Sequence, residues 1–168
     1  MSGGWTPVVH LFTQSGGKLD FNNENFCFYP KKESQDQISI GSCNGTFSLA
    51  DIIGESINKT KEYLGLKSEY NIKINELKKD TLKNIWLLPS NKKLGKTKPF
   101  VDFQNDVTAK DIKLALSEGY KSIEHVKRYT TTGMATDQGK IANMHALGIV
   151  AETTKTKMGA LGTTTFRP

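Results

Sequence analysis

The chain has 168 residues, 36% of them hydrophobic, and a formal net charge of +6 at pH 7. A chain of this length fills one or two small cores, so we expect two small domains and no single large one. It has no apolar run of the roughly 20 residues that a membrane span requires, and residues 1–20 lack the pattern of a secretory signal. We therefore expect a cytoplasmic protein with no membrane partner.

The positive charge raises the question of nucleic-acid binding, which depends on how the charge is distributed. Eleven lysines lie between Lys59 and Lys98, whereas the whole chain has only two arginines, Arg128 and Arg167. Nucleic-acid surfaces favour arginine forks and stacking aromatic rings, and the lysine-rich stretch has neither in a recognisable pattern. We interpret it as a solvated connector and expect no nucleic-acid partner.

The two cysteines, Cys27 and Cys43, are too few for a disulfide framework. No other Cys or His lies at ligand spacing from them, so they predict no zinc or iron–sulfur site. We expect both to be packed thiols.

The first 66 residues have the pattern of short strands, tight turns and one helix. Extended segments are predicted at residues 8–12, 19–21, 26–29 and 37–41. A turn at residues 42–45 precedes a predicted amphipathic helix over residues 47–64, capped by Ser48 or Thr46. The predicted inner side of this helix consists of Leu49, Ile52, Ile53, Ile57 and Leu64.

A strand, a glycine turn and a helix in this order point backbone N–H groups and a helix N-terminus at an anionic or polar ligand. An ordinary strand-to-helix connection gives the same pattern, so the residues alone leave both interpretations open.

The second half has helical periodicity. After the connector, in which residues 85–89 are predicted to anchor on a neighbouring surface, an extended piece at 100–103 leads to a helix over 109–117. Thr108 and Asp111 form an acidic variant of the capping box. Further features are Gly119 as the end of that helix, a second helix from Ser122 to about Tyr129, and a third from about Asp137 to Thr153 with Ile141, Met144, Leu147, Ile149 and Val150 largely inward.

The segment between the last two predicted helices, residues 127–140, concentrates hydroxyls, two glycines and three cations. A helix beginning at Asp137 would leave its first amides free, which is typical of phosphate sites. A polar, well-capped loop between helices is the alternative. The candidate ligand-binding residues are Lys127, Arg128, Thr130, Thr131, Gly133, Gln138 and Lys140.

Residues 125–140, preceded by residues 100–112, closely resemble the alpha subunit of heterotetrameric sarcosine oxidase. Residues 2–18 look like the closing part of that subunit's nucleotide-binding module, and residues 162–168 like the start of the passage into its folate-binding domain. The resemblance spans almost the whole chain and is weakest from residue 67 to 98.

The resemblance implies an α+β fold with a small all-helical domain. The implied divisions are residues 1–66, the end of a pyridine nucleotide-disulfide oxidoreductase-like module; 67–98, a linker; 99–157, the A3 domain; and 158–168, the start of the next linker. The helical domain also resembles the bacterioferritin-associated-ferredoxin-like domain that holds a two-iron cluster in related flavoprotein dehydrogenases. The cysteine positions are matched by Asp102, Gln104, Asp137 and Ala142, so we expect no iron–sulfur cluster and no metal.

The resemblance further implies a part in the oxidative demethylation of sarcosine to glycine, with transfer of the one-carbon unit to tetrahydrofolate and formation of hydrogen peroxide. In such enzymes the alpha subunit binds NAD, FMN lies where alpha meets beta, and gamma and delta complete the heterotetramer. Residues 127–140 would then face FMN, and the NAD side would consist of Cys43, Asn44, Phe47 and Leu49.

No catalytic residue is expected in this chain, because it contains neither the amine site nor the Gly-x-Gly-x-x-Gly fingerprint of a pyrophosphate cradle. We expect an internal piece of a larger flavoprotein, from a truncated reading frame, a split subunit or a trimmed chain, and no activity when isolated. The alternative is a docking module of a related flavoprotein amine dehydrogenase that binds no cofactor.

Overall fold

The computed structural model describes residues 6–67 and 83–163. These residues form two compact units that divide between Lys83 and Asn84. They contain two antiparallel two-stranded sheets and six helices, a small α+β architecture as predicted. The division lies inside the stretch interpreted as a connector, and the bounds of the predicted domains stay predictions. Residues 1–5, 68–82 and 164–168, including Arg167, lie outside the described residues.

The first unit is built around a hairpin. Its elements are α1 (His10–Gln14), β1 (Lys18–Asn22), β2 (Cys27–Lys32), a 3-10 turn at Gly41–Asn44 and α2 (Leu49–Leu64). Phe21 lies opposite Phe28 across the antiparallel pair, with the two rings edge to face and their centroids 5.0 Å apart. These rings and Cys27 are buried. Because Cys27 and Phe28 are consecutive in β2, both faces of the hairpin contribute buried side chains.

The prediction of a strand at residues 8–12 is wrong, because this segment enters helix α1. Val9 and Phe12 are buried, whereas Val8 and Leu11 are 70% and 82% exposed. Burial at a spacing of three residues suits a helical turn, but a run of four apolar residues interrupted only by His10 shows no period by itself. The hydroxyl of Thr13 shares its hydrogen between the carbonyls of Val9 and His10, at 3.1 and 2.9 Å, and reinforces the turn.

The strand predicted at residues 37–41 is also wrong. The backbone is extended at Ile40, with φ −134° and ψ 148°, but this segment pairs with no other strand in the described part of the chain. Ile38 is 51% exposed. An extended segment becomes a strand only when a neighbour completes its hydrogen bonds, and that neighbour is a tertiary feature.

Helix α2 is confirmed, and so is its cap. Ser48 Oγ accepts a hydrogen bond from the amide of Asp51 at 3.5 Å. The predicted inner side is only partly inward: Ile52, Ile53 and Ile57 are half-buried, whereas Leu49 and Leu64 are exposed. No residue of α2 is fully buried within the described unit, so the helix packs at its surface.

The second unit is a small helical bundle with one short hairpin. Its elements are a 3-10 turn at Leu94–Lys96, β3 (Phe100–Asp102), β4 (Val107–Thr108), α3 (Ala109–Ser117), α4 (Ile123–Thr130), α5 (Ala142–Thr154) and α6 (Met158–Leu161). Helix α3 packs against both α4 and α5. Ile112, Val126, Ile149 and Val150 are fully buried and form the centre of the core.

The predicted start and end of α3 are confirmed. The amide and the hydroxyl of Thr108 both donate to Asp111 Oδ2, at 2.8 and 2.6 Å. The Thr108 hydroxyl, and then its amide, hold the pKa of Asp111 below its usual value although partial burial acts in the opposite direction. Gly119, at φ +98°, ends the helix with a left-handed turn.

Helix α5 begins at Ala142 and not at Asp137 as predicted. Gln138 and Gly139 have φ values of +51° and +76°, and a right-handed helix cannot pass through left-handed residues. Ile141 is 68% exposed, contrary to the prediction, because it lies outside the helix. The prediction is confirmed for Leu147 and the two residues that follow Gly148, which are buried.

The predicted anchor at residues 85–89 is found on α5. A Cβ on Gly148 would lie 2.1 Å from Cδ2 of Trp86, so the indole ring lies directly on the helix backbone. The ring also meets His145 edge to face, with centroids 6.0 Å apart.

No helix among the residues that the structure describes is long and apolar enough to cross a membrane.

Candidate functional site

Residues 131–141, here called the interhelical loop, connect α4 to α5. The loop starts at Thr131, whose φ of +62° ends α4 in the left-handed conformation. Two hydroxyls at this junction are occupied internally: Thr130 Oγ1 donates to the carbonyl of Val126 at 2.8 Å and lies 2.7 Å from Thr132 Oγ1. Both threonines are buried, so neither hydroxyl faces a ligand.

The β3–β4 turn fixes the loop through the carboxylate of Asp102, which is only 3% exposed. One oxygen accepts hydrogen bonds from the amides of Gln104 and Asn105, at 2.9 and 3.1 Å. The other accepts from the amide of Gly133 at 2.7 Å, 31 residues further along the chain. A charged acceptor with three backbone donors makes these bonds stronger than neutral ones.

Two more side chains of the β3–β4 turn form hydrogen bonds with the interhelical loop. Gln104 Oε1 accepts from both the amide and the hydroxyl of Thr136, at 3.1 and 2.8 Å. Asn105 donates its side-chain amide to the carbonyl of Thr131 at 2.8 Å. The β3–β4 turn therefore holds the loop at three places.

The expectation of free amides after Asp137 is wrong. The carboxylate of Asp137 accepts from the amides of Gly139 and Ile141, at 3.2 and 3.4 Å. The amides of Met134, Gln138 and Lys140 donate to backbone carbonyls within the loop, at 3.1, 2.9 and 3.2 Å. The loop thus satisfies these donors without a ligand.

Both loop glycines are needed for internal packing. Gly133 and Gly139 have φ values of +70° and +76°, and a Cβ on either would lie 2.1 or 2.2 Å from Oδ1 of Asn143. That oxygen is buried and has no hydrogen-bond partner among the described residues. The Asn143 side chain occupies the space that the glycines leave, so this space is closed to a cofactor.

The cationic side chains of this segment, unlike its backbone amides, remain available to bind an anion. Arg128 and Lys140 are exposed and Lys127 is half-buried, and none of the three forms an ion pair with a residue in the described ranges. Gln138 is exposed but donates to the carbonyl of Ala135, and the exposed Thr131 donates to its neighbour's carbonyl. The phosphate of FMN therefore fits the exposed cations of this segment and does not fit its backbone.

The turn of the first unit gives a similar result for NAD. The amide of Gly41 and the side-chain amide of Asn44 both donate to the carboxylate of Glu55, at 3.0 and 2.8 Å. Partial burial raises the pKa of Glu55, but the hydrogen bonds from Gly41, Asn44 and Thr46 outweigh it and hold the pKa below its usual value. A pyrophosphate does not fit beside this carboxylate.

The other NAD-side residues do not share this carboxylate. Cys43 Sγ donates to the carbonyl of Ile40 at 3.0 Å. Phe47 and Leu49 are 40% and 67% exposed, so their apolar surfaces can cover a flat ring. No three metal-binding side chains come together in the described ranges of the chain.

The sequence interpretation missed Glu55 and gave no structural role to Asp102 and Gln104, which had been noted only as substitutes for cysteines. The signal for Glu55 was its place three residues after Ile52, on the inner face of an otherwise apolar stripe. A carboxylate in that position needs donors, and the adjacent turn supplies them.

Comparison with known proteins shows similarity to sarcosine oxidase alpha subunits. The family model described as the sarcosine oxidase A3 domain matches residues 96–168. The sarcosine oxidase subunit alpha of Rhizobium meliloti (strain 1021) is 37% identical over 174 residues, which cover 100% of this chain and 17% of that protein. The subunit alpha of Corynebacterium sp. (strain P-1) is 32% identical, over 99% of this chain and 18% of its own length.

A crystal structure of L-proline dehydrogenase from P. horikoshii has the same fold, with a TM-score of 0.61 at 17% identity over 96% of this chain and 35% of that one. The chain spans about 17–18% of the length of the sarcosine oxidase subunits that it matches. Over its full length the chain is therefore homologous to sarcosine oxidase alpha subunits, and its C-terminal part contains their A3 domain.

Proposed function

We propose that the chain is one part of a cytoplasmic flavoprotein assembly of the sarcosine oxidase type, with beta, gamma and delta subunits as its partners. That assembly converts sarcosine to glycine by oxidative demethylation, passes the one-carbon unit to tetrahydrofolate and forms hydrogen peroxide. The observation that carries the proposal is the homology to the alpha subunit over the whole chain at 37% identity. The chain contributes binding surfaces and no catalytic residue, so it is inactive alone.

In this proposal the second unit forms the alpha-side wall of an FMN site. FMN supplies the redox chemistry when bound, and the chain supplies charge. Arg128, Lys140 and the half-buried Lys127 stand beside a loop that is already held in place, which supports the assignment. A phosphate dianion is best bound by charge-assisted hydrogen bonds, and guanidinium and ammonium groups provide them at little cost in loop ordering.

The first unit would lie on the NAD side. Glu55 occupies the Gly41 amide and the Asn44 side chain. The chain would therefore cover a ring of the dinucleotide with Phe47 and Leu49 and leave the phosphates to other segments. The first unit would accordingly be the end of a nucleotide-binding module, and the second a two-iron-type helical domain without its cysteines.

A docking module without cofactor contact is the second candidate. Its support is the exposed apolar surface of the first unit, where Leu11 and Tyr63 are 82% and 80% exposed. Helix α2 has no fully buried residue among those described, as expected for a helix that packs against another protein.

Reconstitution of the full 168-residue chain with the beta, gamma and delta subunits separates these candidates. Arg128→Ala should lower FMN retention by roughly ten- to hundredfold, because a hydrogen bond to a charged group contributes on the order of 1.5–3 kcal/mol. Lys157→Ala is the matched control, since this exposed lysine lies beyond the far end of α5, about 20 Å along the helix from the loop.

FMN content is measured after release and chromatography. Equal FMN content in the parent and in the Arg128→Ala and Lys140→Ala assemblies would favour docking alone. Failure of the chain to join the other subunits would refute both candidates, and sarcosine turnover by the isolated chain would refute the assignment of catalysis to its partners.

A further inference from the structure

In each unit, a carboxylate of the chain itself occupies donors beside a predicted anion site. In the interhelical loop these donors are backbone amides, whereas Glu55 in the first unit accepts from the Gly41 amide and the Asn44 side chain. We propose that Asp102 and Asp137 in the interhelical loop, and Glu55 beside the turn of the first unit, act as internal anions that position these segments and close their backbones to phosphate. The inference concerns contacts within the chain, so it stands independently of the proposed function.

Asp102 gives the clearest case. Its carboxylate is 3% exposed and receives three backbone N–H groups, one of them from Gly133 across 31 residues. No cation pairs with it among the residues that the structure describes. A buried charge without donors would be very unfavourable, so the three amides and the carboxylate stabilise one another and fix the loop relative to β3.

Asp137 completes the arrangement from inside the loop by accepting from Gly139 and Ile141. Its carboxylate takes the place at these two amides that a bound anion would otherwise take. Because the acceptor is tethered to the same backbone, its effective concentration is far above that of a free anion. A phosphate approaching these amides would also meet the negative charge of Asp137.

Glu55 repeats the arrangement in the other unit. Its two oxygens accept from the Gly41 amide and from the side chain of Asn44, at 3.0 and 2.8 Å. The lowered pKa of this carboxyl agrees with stabilisation of its charged form by those donors. In both units, a carboxylate of the chain accepts the hydrogen bonds that a bound anion would otherwise accept. We therefore interpret these segments as internally satisfied turns and not as vacant anion sites.

Chemical rescue tests the inference on the full chain. Asp102→Ala removes the carboxylate, and sodium formate offers a small carboxylate in its place. Amide hydrogen exchange of Gly133 should accelerate by about ten- to hundredfold in the variant, since a hydrogen bond to a charged group is worth roughly 1.5–3 kcal/mol and each 1.4 kcal/mol is tenfold. Formate should restore part of the protection, whereas sodium chloride at equal ionic strength should not.

The matched control is Asp106→Asn, an exposed aspartate in the same turn, which should leave the exchange of Gly133 unchanged. In a Lys140→Ala chain, which lacks the neighbouring cation, inorganic phosphate should not shift the amide resonances of Gly133, Gly139 or Ile141. If Asp102→Ala does not fold, Asp137→Ala provides the same test at Gly139 and Ile141, because its carboxylate bridges only loop amides.

Two results would overturn the inference. The first is unchanged hydrogen exchange in the alanine variants at the amides that donate to the removed carboxylate, or accelerated exchange that formate does not slow. The second is a saturable phosphate-induced shift of those amides in the Lys140→Ala chain, which would show that the backbone donors are free. Neither result depends on FMN content, so failure here is distinguishable from failure of the proposed function.

Discussion

Because Trp86 packs on Gly148, we expect Gly148→Ala to lower the free energy of unfolding, although helix propensity alone predicts that it rises. An alanine normally stabilises a helix interior by about 1 kcal/mol relative to glycine. At Gly148, however, the new Cβ would lie 2.1 Å from Cδ2 of Trp86 and 2.5 Å from two further ring atoms. Carbon atoms pack at about 3.5 Å, so the indole would have to move by roughly 1.4 Å.

The expected cost follows from this displacement. Overpacking of a fitted site costs about 1–3 kcal/mol, and the propensity gain offsets about 1 kcal/mol of it. Gly148→Ala should therefore destabilise the second unit by up to roughly 2 kcal/mol. In a Trp86→Ala background the clash is absent, and the same substitution should instead stabilise the helix by up to about 1 kcal/mol.

Urea unfolding with amide hydrogen exchange of α5 measures the free energies of unfolding of the parent, the two single variants and the double variant. Gly54→Ala in α2 is a propensity control, because no atom lies within 4 Å of the added Cβ, and it should stabilise α2 by about 0.5–1 kcal/mol. Stabilisation by Gly148→Ala in the parent background, equal to that in the Trp86→Ala background, would refute the packing of the indole on α5.

Three further outcomes are expected. Thr108→Ala should lower the free energy of unfolding of the second unit by about 1 kcal/mol, measured by urea denaturation, because it removes a hydroxyl from the capping box; an unchanged midpoint would contradict this role. Glu55→Gln should weaken the first unit by at most about 1 kcal/mol near pH 7, because the site is partly solvated. Since the folded pKa of Glu55 is lowered, its contribution is present above the unfolded value of 4.5 and is lost as pH falls through the folded value; a difference between parent and variant that persists at lower pH would argue against the linkage. Ellman's reagent should label Cys43 rapidly and Cys27 only after unfolding, because burial raises the pKa of the Cys27 thiol; rapid labelling of both in the folded chain would contradict this.

Signals that act within a few residues were sufficient to predict several elements. Ser48 and the Thr108–Asp111 pair cap helices through bonds that span three residues, and Gly119 ends one through its own φ. Such interactions depend on side chains next to each other in sequence, so their pattern is visible without a fold. The runs at residues 100–112 and 125–140 were equally sufficient for the family resemblance, which comparison confirmed.

Sequence patterns were not sufficient to predict the conformation of segments whose structure depends on distant partners. Residues 8–12 and 37–41 were predicted as strands, but the first packs one face as a helical turn and the second has no neighbouring strand in the described chain. An apolar run fixes neither its period nor its partner, so packing decides its conformation.

The candidate site shows the same division most clearly. The sequence determined that residues 127–140 hold cations, hydroxyls and glycines, and the resemblance assigned them to FMN. Only the tertiary structure decided which donors remain available, because the bonds from Gly133 to Asp102 and from Thr136 to Gln104 join residues 31 and 32 positions apart. A backbone amide has one hydrogen to donate, and whether a ligand or the chain's own acceptor receives it depends on which is brought close when the chain folds.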